Sequence, residues 1–387
     1  MNLYDVYSLY NVELVKGSGP MVYDRNGVGY LDFYGGHAVI SVGHSHPHYV
    51  SMIQKQLHQI GFYSNLVQNS LQVELAEKLG RASGLEGYDL FLINSGAEAN
   101  ENALKLASFY NDRKKVIALE NSFHGRTSAA INVTHTGQKH ASSINGGIDV
   151  SYFNKEDVEG ILKAINSEEY SAIIVEAIQG VGGLDMISEE VTKQIELACH
   201  ETKTALIMDE VQCGYGRSGR FFAFQHLGIK PDIITTAKGM GNGFPIGGVL
   251  INSDKMPPVK SRLGTTYGGN HLACAAGIAV LDIITAEDLI EHSRRMGEIL
   301  ALEMKEVAGV KHVKGRGLMI GVEFDYPVAE LRKKLIFDHH VFTGSSANKN
   351  LLRTLPPLNI TDRHIDQFIS RPHGRRRGCV GSANRRK

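Results

Sequence analysis

An α/β fold, with a mostly parallel central sheet covered by helices on both faces and a smaller α+β unit beside it, is predicted for this chain by three observations. From about Val73 onward, helix-like and strand-like segments alternate. The strand-like segments SAIIVEA (171–177), TALIMDE (204–210), PDIITTA (231–237) and GGVLIN (247–252) are short, nearly unbroken apolar runs, as expected of strands buried on both faces. Two of them end in ionisable groups, Asp209 and Lys238, at the carboxyl edge where open α/β sheets place their ligands.

The 387 residues accommodate a large domain plus a smaller one. Residues 12–33 read as strands joined by turns at Gly17, Gly19 and Asn26-Gly27. The loop GHAVISVGHSHPHYV (36–50) follows, with His37, His44, His46 and His48. No carboxylate or cysteine accompanies these histidines and Pro47 interrupts them, so no metal site is expected. Then come a helix (VELAEKLGRAS, 73–83), a strand (DLFLIN, 89–94), a helix (EANENALKLASFYN, 98–111) and a strand (KKVIALE, 114–120). Beyond about Leu281, an amphipathic helix (287–307), a strand-like GVEFDY (321–326) and a second helix (328–340) complete the pattern. The expected organisation is a large domain at 49–277 and a small domain built from 1–48 and 278–370. Residues 371–387, RPHGRRRGCVGSANRRK, lack helical periodicity and read as an atypical basic tail, expected to be disordered.

A formal net charge of zero gives no general electrostatic reason to expect nucleic acid or an anionic membrane as partner. The four cysteines, Cys199, Cys213, Cys274 and Cys379, show no CxxC spacing, which argues against zinc and against a disulfide framework. No secretory signal or membrane-length apolar run is visible, so a cytoplasmic location is expected.

An ammonium group is strongly hydrated, so Lys238, held just past a buried strand in a turn with Gly239, Gly241 and Gly243, calls for a reason. An amine that condenses with a carbonyl is one; a lysine that merely reaches out of the loop is the other. Asp209 favours the first. Pyridoxal phosphate needs a lysine for its aldehyde and an acid to keep its ring nitrogen protonated, and this pair meets both needs. Ser95-Gly96-Ala97 stands between a strand and a helix, where free N–H groups make either an ordinary cap or a phosphate site.

SGAEAN (95–100), FHGRT (123–127), DEVQCGYGRSG (209–219), AKGMGNGFPIGG (237–248) and TTYGGNHLACAAG (265–277) together resemble the class III pyridoxal-phosphate-dependent aminotransferases, in particular the branch acting on acetylornithine and succinylornithine. The likeness runs from about Tyr4 to about Phe368 and implies the fold-type I architecture and a homodimer. It implies Lys238 and Asp209 as catalytic residues, and Gly96, Ala97, Phe123, Glu210, Val211, Gln212 and Thr266 as further cofactor contacts. Phe123 and Val211 would cover the two faces of the ring, while Thr266 would reach the neighbouring subunit's cofactor. Arg126, Thr265 and Arg353 would meet substrate, and Tyr63-Ser64-Asn65 would line the substrate mouth. One departure is clear: many relatives carry a second glutamate where Val181 stands, and in ornithine-type enzymes that acid pairs with the arginine matching Arg353. Without it, Arg353 is expected to be less screened, favouring 2-oxoglutarate and admitting a donor with an extra carboxylate. The implied reaction moves the side-chain amine of an N2-acylornithine to 2-oxoglutarate, as in arginine biosynthesis. An ornithine or 4-aminobutyrate aminotransferase, an aminomutase or a non-catalytic binding protein are the alternatives that fold membership alone leaves open.

Overall fold

The computed structural model describes the backbone of residues 1–373 and the side chains of residues 1–370. Three strands near the N-terminus, β1 (Leu14–Ser18), β2 (Met21–Asp24) and β3 (Gly29–Asp32), form an antiparallel sheet. The large sheet takes the next seven: β4 (Asp89–Ile93), β5 (Lys115–Leu119), β6 (Val150–Phe153), β7 (Tyr170–Val175), β8 (Ala205–Asp209), β9 (Ile233–Thr236) and β10 (Gly247–Ile251), in the order β4-β10-β9-β8-β7-β5-β6. The C-terminal third adds β11 (Val310–Arg316), β12 (Met319–Phe324), β13 (Val341–Phe342) and β14 (Leu351–Thr354). Of these, β13 returns to pair in parallel with β3, while β11, β12 and β14 make a separate antiparallel sheet.

The large sheet is parallel from β6 across to β9, and β10 alone runs against both its neighbours. Every residue of β7, β8 and β9 is buried, which is why their sequences carry no polar alternation. The edge strand β6 was not legible in the sequence, because all four of its residues are only half-buried and it lacks a continuous apolar run.

Helix starts follow local chemistry. Ser95 caps the helix Gly96–Asn111 by accepting from the Glu98 N–H, and Asn270 caps His271–Ala286 through the Ala273 N–H at 2.9 Å. The helix His271–Ala286 is apolar nearly all round and buries 11 of its residues, packing against the helices Pro47–Gln59 and Ser70–Ser83. Its lack of an amphipathic stripe hid it from a periodicity reading.

The closing helix spans Asp362–His373, so Arg371–His373, assigned from the sequence to the atypical tail, continue a helix instead. Its Phe368 ring stacks on Phe33 at 4.4 Å, joining it to the end of β3. The remainder of the basic stretch, 374–387, lies outside the described residues. Among the described residues no helix is long and apolar enough to cross a membrane. The histidines of the 36–50 loop diverge: His44 bonds Asp32, His46 bonds Glu287 and His48 bonds Asp282.

Candidate active site

The carboxyl edge of the parallel strands opens into a cavity of ≈330 Å³. It is here that the crossover loops diverge and leave space that no strand fills. The cavity is lined by Ser95, Gly96 and Ala97 at the start of one helix, by Phe123 and Val211, and by Asp209 and Lys238 from the ends of β8 and β9.

Asp209 is 3% exposed and is hydrogen-bonded through both carboxylate oxygens. Its Oδ2 accepts from Asn100 Nδ2 at 2.8 Å and meets His124 Nδ1 at 2.7 Å, while Oδ1 accepts the Val211 N–H at 3.0 Å. Asn100 is itself held, donating to the His124 carbonyl at 2.7 Å and accepting from Thr235 Oγ1 at 2.7 Å. These three contacts, to both carboxylate oxygens, fix the orientation of the buried carboxylate. The other ring nitrogen of His124, Nε2, is buried without a hydrogen-bond partner among the described residues.

Lys238 begins a short 3-10 turn and has φ 41°, a left-handed conformation that costs a non-glycine residue about 1 kcal/mol or more. Neighbouring contacts hold the turn in place. Asn242 Oδ1 accepts the N–H groups of Ser41 and Val42 at 2.8 and 3.0 Å, and Ser41 Oγ donates to the Gly239 carbonyl at 2.8 Å. Burial lowers the Lys238 pKa, against the opposing pull of Asp209 and Glu176. A lowered value leaves more of the amine in its nucleophilic form.

Glu176 follows β7 as Asp209 ends β8, and also lines the cavity. It accepts the N–H groups of Phe123 at 2.9 Å and Gly180 at 2.8 Å, so it shapes the loops that carry both. Burial, helped by the Asp209 charge, pushes its pKa up to about 7, with His124 and the two N–H donors opposing.

The cavity suits pyridoxal phosphate. An amine stands at one wall, a bonded acid at another, and a helix N-terminus supplies N–H groups for a phosphate. Gly96 has no room for a side chain, since a Cβ there would meet Val211 Cγ1 at 2.5 Å. When bound, the cofactor supplies an aldehyde that takes up an amino group and a ring that withdraws electrons from the substrate carbon.

Of the residues expected from the sequence, Gly96, Ala97, Phe123, Asp209, Val211, Gln212 and Lys238 line this cavity together. Glu210 does not. Successive side chains at a strand end face opposite ways, and Glu210 turns away to accept the N–H groups of Ala223 at 2.8 Å and Phe224 at 2.7 Å. Its side chain is therefore placed outside the cavity wall, where it anchors the following loop, with its pKa raised to about 8 by burial.

Thr265 stands one residue back from the cavity, its hydroxyl accepting from Asn94 Nδ2 at 3.2 Å and from the Gly268 N–H at 3.1 Å. Thr266 is exposed in the same loop, and Arg126 is exposed beyond the cavity wall. The Tyr63–Asn65 segment braces that loop, with Asn65 Nδ2 donating to the Gly268 carbonyl at 3.1 Å.

Arg353 has no carboxylate in ion-pair contact among the described residues, yet it is not open. It is 3% exposed and donates to the carbonyls of Gly180 and Ser345 and to Gln212 Oε1. The guanidinium expected to be less screened is thus buried among neutral acceptors, which offset its charge less than an acid would.

His124, Asn100 and Glu176 were not assigned from the sequence. Two signals were available: Asn100 is a polar residue on the buried face of its helix, and Glu176 follows a strand as Asp209 ends one.

An amine–acid pair on the carboxyl edge of a mostly parallel sheet, facing a helix N-terminus, defines a pyridoxal-phosphate-dependent enzyme of fold-type I. Residues 5–373 match the family described as Aminotransferase class-III. Similar sequences include the acetylornithine aminotransferases of Caldanaerobacter subterraneus subsp. tengcongensis, 40% identical over 95% of each chain, and of Bacillus subtilis, 38% identical over 96% of each. Among solved structures, the ornithine aminotransferase of Toxoplasma gondii superposes with a TM-score of 0.87 at 29% identity, covering 95% of this chain and 90% of that one. A Bacillus anthracis aminotransferase superposes with a TM-score of 0.86 at 26% identity, covering 96% and 95%. The chain belongs to the class III aminotransferases and is a pyridoxal-phosphate-dependent enzyme of that family.

Proposed function

We propose that this enzyme transfers the side-chain amino group of an N2-acylornithine, acetylated or succinylated, to 2-oxoglutarate, giving the N-acylglutamate semialdehyde and glutamate in arginine biosynthesis. The observation that carries this reading is that Val181 stands on the cavity wall while the hydrogen-bond partners of Arg353, among the described residues, are neutral. The name shared by its sequence relatives supports it from outside.

In this reading the Lys238 amine would take a proton from the substrate carbon as general base and later release it as general acid, while bound pyridoxal phosphate would supply the electron-withdrawing ring. Asp209, braced by His124 and Asn100, would hold the proton on the ring nitrogen of the bound cofactor. Gly96 and Ala97 present N–H groups to the phosphate, while Phe123 and Val211 enclose the ring and exclude water. Arg126 grips the donor's α-carboxylate, leaving Arg353 for the keto acid. The reading includes a cytoplasmic homodimer in which Thr266 reaches across to the neighbour's phosphate and Thr265 lies near substrate. It also includes a large domain at 49–277 and a small one from 1–48 and 278–370.

The test mixes the cofactor-loaded enzyme separately with N-acetylornithine, N-succinylornithine and free ornithine, following the visible absorbance of the cofactor. Rapid conversion by an acylated donor, reversed by 2-oxoglutarate, is the expected result. Faster conversion by free ornithine, the donor named for the Toxoplasma relative, would replace this reading with that of an ornithine aminotransferase.

A further inference from the structure

A third arginine belongs to the same region as Arg126 and Arg353. Arg332 lies on the helix Ala329–Phe337, and its Nε and Nη2 both donate to the Thr343 carbonyl, at 3.3 and 3.0 Å. That double contact fixes the plane of the guanidinium, and among the described residues Nη1 has no hydrogen-bond partner. The next residue, Gly344, exchanges backbone hydrogen bonds with Arg353 at 2.8 and 3.0 Å. Gly344 also lies flat against Tyr34, where a Cβ would meet the ring at 2.5 Å. The Tyr34 ring in turn packs on His37 at 4.7 Å, and the His37 carbonyl accepts from Gln212 of the cavity wall at 3.3 Å. A continuous set of contacts therefore runs from Arg332 to the cofactor cavity.

This neighbourhood has an excess of positive charge. His37 feels Arg353, Lys238, Arg332 and Arg126 together, and burial with these four charges lowers its pKa to about 4. None of the three arginines has a carboxylate in ion-pair contact among the described residues. The nearby acids are committed elsewhere: Glu330 to Lys333, Asp32 to His44, and Glu176 to two backbone N–H groups. Thr343 adds a buried hydroxyl with no hydrogen-bond partner among the described residues. An N-acetyl donor brings one carboxylate to this cluster and so pairs one arginine. A succinyl group brings a second.

We propose that Arg332 is a specificity-determining residue that holds a carboxylate carried by the donor's acyl group, so that succinylated ornithine is preferred to acetylated ornithine. The inference rests on the acylornithine reading above and adds a named residue to it.

The test compares kcat/KM for N-succinylornithine and N-acetylornithine in the wild type, Arg332→Gln and Arg332→Lys. Loss of one charge-assisted contact should lower the succinyl-to-acetyl ratio roughly 10- to 100-fold in Arg332→Gln, mainly through KM for the succinylated donor. Arg332→Lys should recover part of that ratio, which a purely structural role would not allow. A ratio unchanged in Arg332→Gln, or a wild type that prefers the acetylated donor, overturns the inference and leaves the acylornithine reading intact. A wild type that turns over neither donor overturns both. Cofactor absorbance and melting temperature, measured on each variant, separate a folding defect from a change in selectivity.

Discussion

His124 and Asp209, 85 positions apart in sequence, meet at 2.7 Å beneath the cavity, with both side chains buried. The pairing makes the acid that lines the cavity part of a fixed network rather than a lone carboxylate. Asp209→Asn should keep the geometry and lose the negative charge, lowering transamination by about 10²-fold or more. His124→Ala should cost about 1–3 kcal/mol of stability and weaken cofactor retention while leaving a measurable rate. Steady-state kinetics, thermal unfolding and dialysis against buffer without cofactor distinguish the two.

Lys238→Ala should abolish turnover and the covalent attachment of cofactor. Borohydride treatment of the wild type, followed by peptide mass spectrometry, should find the cofactor on the Lys238 peptide alone. Cofactor fixed to another lysine would refute the assignment.

The two arginines of the proposed reaction should separate kinetically. Arg353→Leu should raise KM for 2-oxoglutarate by roughly 10²-fold, the scale of a lost bidentate contact, and affect the acylornithine half-reaction much less. Arg126→Leu should impair the donor half-reaction. Stopped-flow measurement of each half-reaction checks both, and equal effects of the two variants on both halves would count against the division of labour.

Glu210 makes a pH prediction whose sign follows from its burial. Its pKa is raised from 4.5 to about 8 in the folded chain. Between those values the folded state therefore holds a proton that the unfolded state releases, and stability falls as pH rises through that window. Above it the contribution levels off. Glu210→Gln should flatten that part of the profile, as measured by urea unfolding at a series of pH values.

Gly96→Ala tests the close approach of helix and loop. The new methyl would meet Val211 Cγ1 at 2.5 Å, so the Val211 side chain must shift and the cleft for the ring narrows. Overpacking of this kind costs about 1–3 kcal/mol. Here it should appear as cofactor affinity reduced by about tenfold or more, while the apo-protein's melting temperature changes less.

Much of the scaffold was legible because buried parallel strands have a distinctive composition. β7, β8, β9 and β10 appear in the sequence as apolar runs, and the helices Ser70–Ser83 and Leu289–Lys305 as 3.6-residue periods. The pattern failed where its contrast disappeared. β6 is half-buried throughout, and His271–Ala286 is apolar on every side. Neither presents the difference between two faces that a period needs.

By itself, the sequence determined the α/β class, the amine and acid at neighbouring strand ends, and the helix N-terminus that faces them, because each depends on residues close together in the chain. Tertiary structure alone decided which of the adjacent acids Asp209 and Glu210 enters the cavity, that His124 and Asn100 brace the first of them, and that Arg353 is covered by carbonyls rather than open. Those outcomes depend on the facing of side chains at a strand end and on contacts between segments dozens to more than a hundred residues apart. Arg332 joins the arginine cluster in the same way, through the Thr343 carbonyl and the turn that carries it back to Arg353. Local sequence specifies what a residue can do chemically, whereas its partners, and so its charge and its role, are set by the chain elements that fold against it.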